Sequence, residues 1–325
     1  MISRVSKRAF QCLVLAAGFG VAFAASPVPA GLSAGFHVGR PQADIQANGS
    51  QATRKKAAAG DARAQLALAV YDLANVQDGE GAHWLKAAAA QGFAPAENAL
   101  GLAYYRGTGV PINVTRAQFW FYKAAKAGDS RGENNLGVLY DTLDNGSRQG
   151  SYQVALWFLR AASQGFAVAE NNLGLAYQQG YGVTQNFRKA AAWFRRAALQ
   201  SNVEAENNIG YEYMHGMGVA GDYKKAAYWF KKAAAKQNVA AQYNLGMLCK
   251  SGQGMKKSAV RAVFYFRLAA DAGMAAAQNE LGLAYYQGHG VYKDYPTAEH
   301  WFLLAAAQRY APAIRNLHTL PNVSP

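Results

Sequence analysis

One feature constrains this chain more than any other: its sequence repeats about every 36 residues. An aromatic residue followed by an apolar one returns seven times, at Trp84-Leu85, Trp120-Phe121, Trp157-Phe158, Trp193-Phe194, Trp229-Phe230, Tyr265-Phe266 and Trp301-Phe302. A Leu-Gly or Ile-Gly pair keeps the same interval, at Leu100-Gly101, Leu136-Gly137, Leu173-Gly174, Ile209-Gly210, Leu245-Gly246 and Leu281-Gly282. Two markers that stay in phase predict an array of one short structural unit, repeated along the chain.

Each period predicts two helices joined by a turn. In the first, helix A, residues Ala96, Leu100 and Tyr104 lie at i, i+4 and i+8 and therefore share one face. A Gly-x-Gly-Val turn follows in four repeats, where glycine ends the helix and allows positive φ. Polar residues suited to an N-cap then begin helix B, namely Asn113, Asn186, Asp222, Ser258 and Asp294.

A single helix pair cannot bury such apolar faces alone, but stacked pairs can. We therefore expect an all-α fold, an α-solenoid of about seven pairs from residue 59 to 308. The first pair is the least regular because its loop is short. Residues Ala313 to Leu317 begin one more helix A, which we expect to cap the open end.

The repeat pattern resembles the Sel1-like repeat, a relative of the tetratricopeptide repeat. One nearly complete unit consists of Ala205, Ile209-Gly210, Tyr213, Gly216, Gly218-Val219, Asp222, Ala226, Trp229-Phe230 and Ala233-Ala234. The resemblance implies a right-handed superhelical scaffold over residues 59–320 that binds a protein or peptide ligand. It also implies a role as an envelope or host-interaction adaptor, as in secreted bacterial members, without naming a partner.

The first segment reads as an export signal. Arg4, Lys7 and Arg8 precede an apolar stretch at 10–23, and small residues flank a cleavage position near residue 25. We expect residues 1–25 to be a signal peptide and 26–58 a flexible lead-in rich in Pro, Gly, Ser, Gln and Ala. The mature chain would then be periplasmic or secreted, with no stable transmembrane segment.

Composition and charge narrow the function classes. With 51% hydrophobic and 16% charged residues, the chain is not intrinsically disordered, and its two cysteines exclude a disulfide framework. The net charge is +14, and basic residues gather on the central B helices, at Arg188, Lys189, Arg195, Arg196, Lys224, Lys225, Lys231, Lys232, Lys236 and Arg261. They could attract an anionic envelope polymer, a membrane surface or an acidic partner protein, or simply keep the scaffold soluble. We expect no nucleic-acid partner, since no binding motif is recognisable.

Two columns of helix A lie opposite the core direction on a helical wheel and are the candidate partner-binding residues. The asparagine column is Asn98, Asn134, Asn171, Asn207, Tyr243 and Asn279. The varied row is Tyr105, Asp141, Gln178, Met214, Lys250 and Tyr286. Helix A is expected to line the concave side of such a solenoid, where amides can bind a peptide backbone. The alternative is that the asparagines belong to the repeat itself and hydrogen-bond the adjacent repeat.

No combination of residues predicts catalysis, a cofactor or a metal. The six histidines lack metal-ligand spacing, and the Gly-x-Gly-Val turns lack the third glycine of a dinucleotide site. Cys249 occupies a tyrosine position, leaving space in the packing, and has no adjacent base. We therefore expect a non-catalytic protein. A hydrolase acting on cell-wall or β-lactam substrates is the remote alternative, and this chain lacks the paired cysteines of such Sel1-like proteins. The segment from Asp141 to Gly150 is a longer polar loop that offers either a contact site or surface drift.

Overall fold

The computed structural model describes residues 50–74, 78–143 and 148–320, and these residues form α-helices and no strands. The predicted all-α fold is confirmed. The helices are α1 Gln51–Ala58, α2 Ala62–Ala74, α3 Asp78–Ala90, α4 Ala94–Arg106, α5 Val114–Lys126, α6 Ser130–Leu143, α7 Arg148–Ser163, α8 Ala167–Gln179, α9 Phe187–Leu199, α10 Val203–His215, α11 Tyr223–Ala235, α12 Val239–Ser251, α13 Ala259–Asp271, α14 Ala275–Gln287, α15 Tyr295–Ala307 and α16 Ala311–Leu317.

The described residues divide into two compact units, 50–185 and 186–320. In the first unit, each helix from α1 to α7 packs against the next helix along the chain. In the second unit, each helix from α9 to α15 does the same. Both helices of each of the seven predicted pairs are present, from α2 and α3 in pair one to α14 and α15 in pair seven. The predicted terminal half-repeat is helix α16, which packs against α15.

The predicted caps set the helix boundaries. Asn113, Asn186, Asp222, Ser258 and Asp294 each precede a helix B, and each side chain accepts a hydrogen bond from a backbone N–H of the first turn. Helix A ends in a glycine with φ of +68° to +82°, at Gly107, Gly180, Gly216, Gly252 and Gly288. That backbone region costs glycine little and other residues more, which explains why the turn keeps glycine.

The Leu-Gly pairs allow the two helices of a pair to approach closely. A Cβ added to Gly210 would lie 2.7 Å from Cε1 of Phe230 in the following helix B. The glycines at 101, 137, 246 and 282 face the equivalent phenylalanine ring in the same way. These rings fill the core: Phe230 is fully buried, as are Phe121, Phe194, Phe266 and Phe302. The small residues of the composition therefore make room for large aromatic rings.

The structure corrects the predicted lead-in at its C-terminal end. Residues 51–58 form helix α1, whose N-cap is Ser50. Ala57 of this helix is buried beside Leu68. Arg54 lies 3.6 Å from the carboxylate of Asp72, which is fully buried. Apolar burial and this ion pair account for order where the composition alone predicted flexibility. The predicted signal peptide and residues 26–49 lie outside the described residues.

Much of the segment 141–150, predicted as a longer loop, is helical, because α6 continues to Leu143 and α7 begins at Arg148; residues 144–147 lie outside the described part. Among the described helices, none combines the length and the apolar run that a membrane crossing requires.

Candidate functional site

Asparagine side chains join neighbouring pairs within the first unit. The Oδ1 atom of Asn98 accepts a hydrogen bond from Nδ2 of Asn135 at 2.8 Å. One repeat later, Oδ1 of Asn134 accepts from Nδ2 of Asn172 at 3.0 Å. The acceptor thus belongs to one helix A and the donor to the next. We call this series of bonds the asparagine ladder.

The second unit contains the same bonds. Asn207 accepts from Asn244 at 3.2 Å, and Asn279 accepts from Asn316 of the terminal helix at 2.7 Å. The prediction that the asparagine column is an exposed wall is therefore wrong. These column members are buried: Asn98, Asn134, Asn171, Asn207 and Asn279. Adjacent A helices cover this side, and a buried amide is stable only with hydrogen-bond partners, as the alternative reading expected.

The ladder is interrupted between pairs six and seven. Tyr243 stands where the acceptor asparagine should be, and Glu280 stands where the donor should be. The Tyr243 ring is half-buried and lies 5.9 Å from the ring of Phe266, centroid to centroid. Burial raises the pKa of the Tyr243 phenol, and the Glu280 carboxylate raises it further. This junction thus differs chemically from its neighbours.

An ion pair replaces the amide bond at this junction. The Nζ atom of Lys250 lies 2.6 Å from Oε2 of Glu280, linking α12 to α14. The Lys250 side chain is half exposed, whereas the Glu280 side chain is 15% exposed. An exposed pair of this kind adds little stability by itself. Its position matters more, because both side chains line a cleft.

The cleft beside this ion pair has a volume of about 370 Å³. Its rim carries charged and polar side chains, and its wall is apolar. The rim residues are Lys250, Lys257, Glu280, Gln287 and His289. The wall residues are Ala259, Ala262, Val263, Phe266, Leu283 and Ala284. An apolar space with a few polar groups at its mouth is the usual form of a site for small ligands or single side chains.

The sequence explains why a cleft opens here. The first residue of helix B is aromatic in the other helix pairs of the second unit, at Phe187, Tyr223 and Tyr295, but is Ala259 at this position. Ala259 lies directly against the turn that contains Gly290. A Cβ added to Gly290 would lie 2.5 Å from the carbonyl carbon and oxygen of Ala259. We infer that the small side chain at this contact leaves the space open.

The varied row is divided between exposed and half-buried positions. In the first unit, Tyr105, Asp141 and Gln178 are half-buried. In the second unit, Met214 and Tyr286 are half-buried, and Lys250 is exposed and lines the cleft. Met214 packs against the apolar core, and Tyr286 lies against the ring of Tyr295 at 5.5 Å. Partner binding by this row stays a prediction.

Sequence reasoning missed a second inter-helix interaction, formed by buried glutamates of helix A. Glu97, Glu133 and Glu206 are at most 2% exposed. Lys123 lies 3.1 Å from Glu97, and Arg160 lies 3.2 Å from Glu133. In the second unit, Lys232 and Lys236 lie 3.4 and 2.8 Å from the same oxygen of Glu206. Each of these three carboxylates thus has a cation from helix B or from its C-cap.

The same cations also lie over tryptophan rings. Lys232 Nζ is 4.9 Å from the centre of Trp229, and Lys123 is equally close to Trp120. Such cation–π contacts hold the basic side chain over the ring one turn earlier. Part of the positive charge predicted for the outer surface therefore neutralises buried glutamates. Lys224 and Lys231 remain exposed on α11.

The ion pairs can be recognised in the sequence by comparing equivalent positions of helix A and helix B among the repeats. Where helix A has glutamine in place of glutamate, the matching position of helix B is apolar. Gln242 is matched with Leu268, and Gln278 with Leu304. Gln308 then donates to Gln278 at 2.9 Å, in the position that Lys236 takes beside Glu206. In both versions a side chain just after helix B contacts the helix A side chain: Lys236 contacts Glu206, and Gln308 contacts Gln278.

Cys249 also departs from the repeat pattern. It is buried, and its thiol lies 3.2 Å from the sulfur of Met255. Burial raises the pKa of the Cys249 thiol, an effect that Arg261 and Lys231 partly oppose. A raised pKa leaves little thiolate for nucleophilic chemistry. In the described ranges, no three His, Cys, Asp or Glu side chains are grouped so as to hold a metal ion.

Helix pairs joined by shared side-chain contacts, with a cleft at one junction, define an α-helical repeat scaffold. Comparison with family models gives seven adjoining matches to the Sel1 repeat, at residues 62–93, 94–129, 130–166, 167–202, 203–238, 239–274 and 275–310. The chain belongs to the Sel1 repeat family. Sel1 repeats generally mediate protein interactions, and proteins built from them are generally non-catalytic scaffolds.

Solved structures include two proteins of clear similarity. One is a protective antigen present in uropathogenic Escherichia coli strains, with an SLR fold; it is 32% identical over 83% of this chain, with a TM-score of 0.71. The chain spans 58% of that protein's length. The other is a Sel1 repeat protein from Oxalobacter formigenes, 33% identical over 83% of this chain and 79% of its own, with a TM-score of 0.65. A search among curated proteins finds no match.

Proposed function

We propose that this protein is an exported scaffold without catalytic activity, which binds a protein or peptide partner in the cell envelope or during host interaction. The observation that carries the proposal is the concentration of departures from the repeat at one junction. Tyr243, Cys249, Ala259 and Glu280 all differ there from the residues of the other pairs, and Lys250 of the varied row lies beside them. A repeat kept only for its fold would not need a cleft with a charged rim.

The export part of the proposal rests on the leader sequence. Basic residues, an apolar stretch and small residues follow one another in the order of a secretory signal. The similarity to a protective antigen of uropathogenic Escherichia coli is in keeping with an exported chain. A fusion of residues 1–30 to alkaline phosphatase tests this part, since that enzyme becomes active only after export. Activity and a mature N-terminus near Ser26 are expected; an inactive, uncleaved fusion would overturn it.

The binding part is tested by capture from an envelope extract with the immobilised mature chain. The variants are Lys250→Glu and Asp141→Lys, which reverse charges in the varied row. The matched control is Lys231→Glu, which makes the same charge change on the exposed side of α11. Thermal melts exclude misfolding. We expect both row variants to lose a protein that the control retains. If all three capture the same proteins equally, partner binding by the row is wrong.

A second candidate function is binding of an anionic glycan or membrane surface through the B helices. The observation in its favour is that Lys224 and Lys231 are exposed, with no ion pair to either among the described residues. Binding of this kind weakens steeply with salt, because screening acts on exposed charges. Loss of binding in Lys231→Glu together with retention in Lys250→Glu would favour this function over the first.

A further inference from the structure

We infer that the cleft between pairs six and seven binds the C-terminal residue of a peptide that ends in an apolar side chain. The inference rests on the proposed function, since it names the ligand that such a scaffold would hold. Its basis is the combination of an apolar wall with hydrogen-bond donors at the rim, one of which is a lysine ammonium group. The wall includes Val263, Phe266 and Leu283, and the rim includes Lys257 and His289.

The apolar wall selects the side chain. A volume of about 370 Å³ accommodates one large aliphatic or aromatic side chain with its own backbone. The wall has no charged member, so a charged side chain placed there would lose its hydration without gaining a partner. Phe266, which also lines the cleft, is only 2% exposed. Leucine and phenylalanine satisfy this surface best.

The rim selects the carboxylate. Lys250 is already paired with Glu280, so its charge is compensated. Within the described residues, by contrast, the ammonium group of Lys257 and the ring of His289 have no hydrogen-bond or ion-pair partner. Both can donate to an oxygen anion, and a charge-assisted bond of this kind is stronger than a neutral one. The Glu280 carboxylate at the same rim disfavours a second anion close to it, which places the ligand's carboxylate on the Lys257 side.

A single residue satisfies both demands only at the end of a chain. At a C-terminus, the carboxylate is attached to the same Cα that carries the side chain. An internal residue offers a neutral amide at that point. A rim cation next to an apolar wall therefore fits a terminal leucine or phenylalanine better than any internal segment.

Calorimetric titration with short peptides tests the inference. The probe is acetyl-Gly-Gly-Leu with a free carboxylate, and its C-terminal amide is the matched ligand. We expect the free acid to bind the mature protein at least about tenfold more tightly, since a hydrogen bond to a charged group contributes roughly 1.5–3 kcal/mol. Acetyl-leucine alone, which has the same terminal residue, should also bind. Equal affinity of acid and amide would overturn the inference.

Three variants locate the binding on the protein. Ala259→Tyr copies the aromatic residue of the neighbouring pairs, so it should fold while filling the cleft, and it should abolish binding. Lys257→Gln should weaken binding of the acid by about tenfold and leave the amide unchanged. Lys256→Gln alters an exposed neighbour that does not line the cleft and should have no effect. Unchanged binding in Ala259→Tyr would contradict the cleft as the site.

The two proposals can fail separately. If the peptide does not bind but the envelope capture depends on Lys250, the cleft inference is wrong and the scaffold function stands. If the peptide binds in an Ala259-dependent way but no partner is captured from the envelope, the ligand class stands and the proposed cellular role does not.

Discussion

The thiol of Cys249 lies 3.2 Å from the sulfur of Met255, and the two residues replace a tyrosine and a valine of the repeat. In pair two, the corresponding tyrosine, Tyr104, accepts a hydrogen bond from Arg116 at 3.3 Å. In pair six there is no such hydroxyl, and Arg261 donates instead to the carbonyl of Lys256 at 3.0 Å. The longer methionine thus occupies space that the smaller cysteine leaves, so the predicted weak point in the packing is filled.

This exchange predicts a strong coupling between the two positions. Cys249→Tyr alone should destabilise the protein by about 1–3 kcal/mol, because the ring overlaps Met255. Met255→Val alone should also destabilise it, since it leaves a cavity. The double variant restores the residues of the other repeats and should recover most of the loss. Chemical denaturation of the four proteins measures the coupling. Additive effects would show that the two side chains pack independently.

The burial of Glu206 predicts that two ways of removing charge around it will lower the free energy of unfolding by different amounts. Lys232→Ala with Lys236→Ala leaves the carboxylate buried without a cation and should cost about 3–5 kcal/mol. Replacing all three residues by the set found in pair seven, as E206Q/K232L/K236Q, should cost less than about 1.5 kcal/mol, since volume and polar pairing are kept. Urea denaturation compares the two. A triple variant as unstable as the double variant would mean that the charges themselves hold this junction together.

The contact between Gly210 and Phe230 predicts a position-specific effect of a single methyl group. Gly210→Ala should destabilise the fold by about 1–3 kcal/mol despite the better helix propensity of alanine, because the Cβ meets the ring. Adding Phe230→Leu should recover part of this loss. Gly221→Ala is the control, as its nearest neighbour would be 3.7 Å away and its change should be nearly neutral. Melting temperatures report all three, and equal effects at 210 and 221 would contradict the close approach.

Glu133 predicts a pH dependence of stability. Burial raises the pKa of this carboxyl above its usual 4.5, against the opposing effects of Arg160 and Gln164. Because the pKa is higher in the folded state, the folded chain binds this proton more tightly than the unfolded chain does. Glu133 therefore favours folding below pH 4.5, and this contribution to stability is lost as the pH rises through the raised pKa. Glu133→Gln removes the effect.

The advantage of Glu133→Gln over the natural protein should therefore grow as pH rises from about 4 and then level off. Denaturation at several pH values between 4 and 8 gives this difference directly. A difference that shrinks over that interval would mean that Arg160 outweighs burial.

The fold could be predicted from the sequence because each repeat contributes independent markers in the same register. The caps, the turn glycines and the Leu-Gly pairs all indicate the same boundaries, and the structure confirms them. The exposure of helix A could not be predicted on a single helical wheel. Asn207 lies opposite Ile209 and the core of its own pair, yet the next helix A covers it. A wheel treats one helix, whereas a stacked helix has neighbours on two sides.

The candidate cleft was not predicted from the sequence. We attribute the cleft to the small residue Ala259, and a comparison of equivalent repeat positions that looks for distinctive side chains overlooks an alanine. The glutamate–cation pairs could be predicted by comparing one position of helix A with one position of helix B across the repeats. Glutamate on helix A occurs with a basic residue on helix B, whereas glutamine occurs with leucine, as at Gln278 and Leu304.

The asparagine ladder has a consequence for how such proteins change in length. Pair three carries both an acceptor for its successor, Asn134, and a donor for its predecessor, Asn135, so a duplicated copy of it finds both partners already present. Deletion of pair three likewise brings the donor Asn172 to the acceptor Asn98. Asn316 in the terminal half-repeat supplies the last donor of the series. Duplication or loss of a whole repeat that carries both asparagines is therefore tolerated by the chemistry of the junction, whereas a fractional repeat at that place is not.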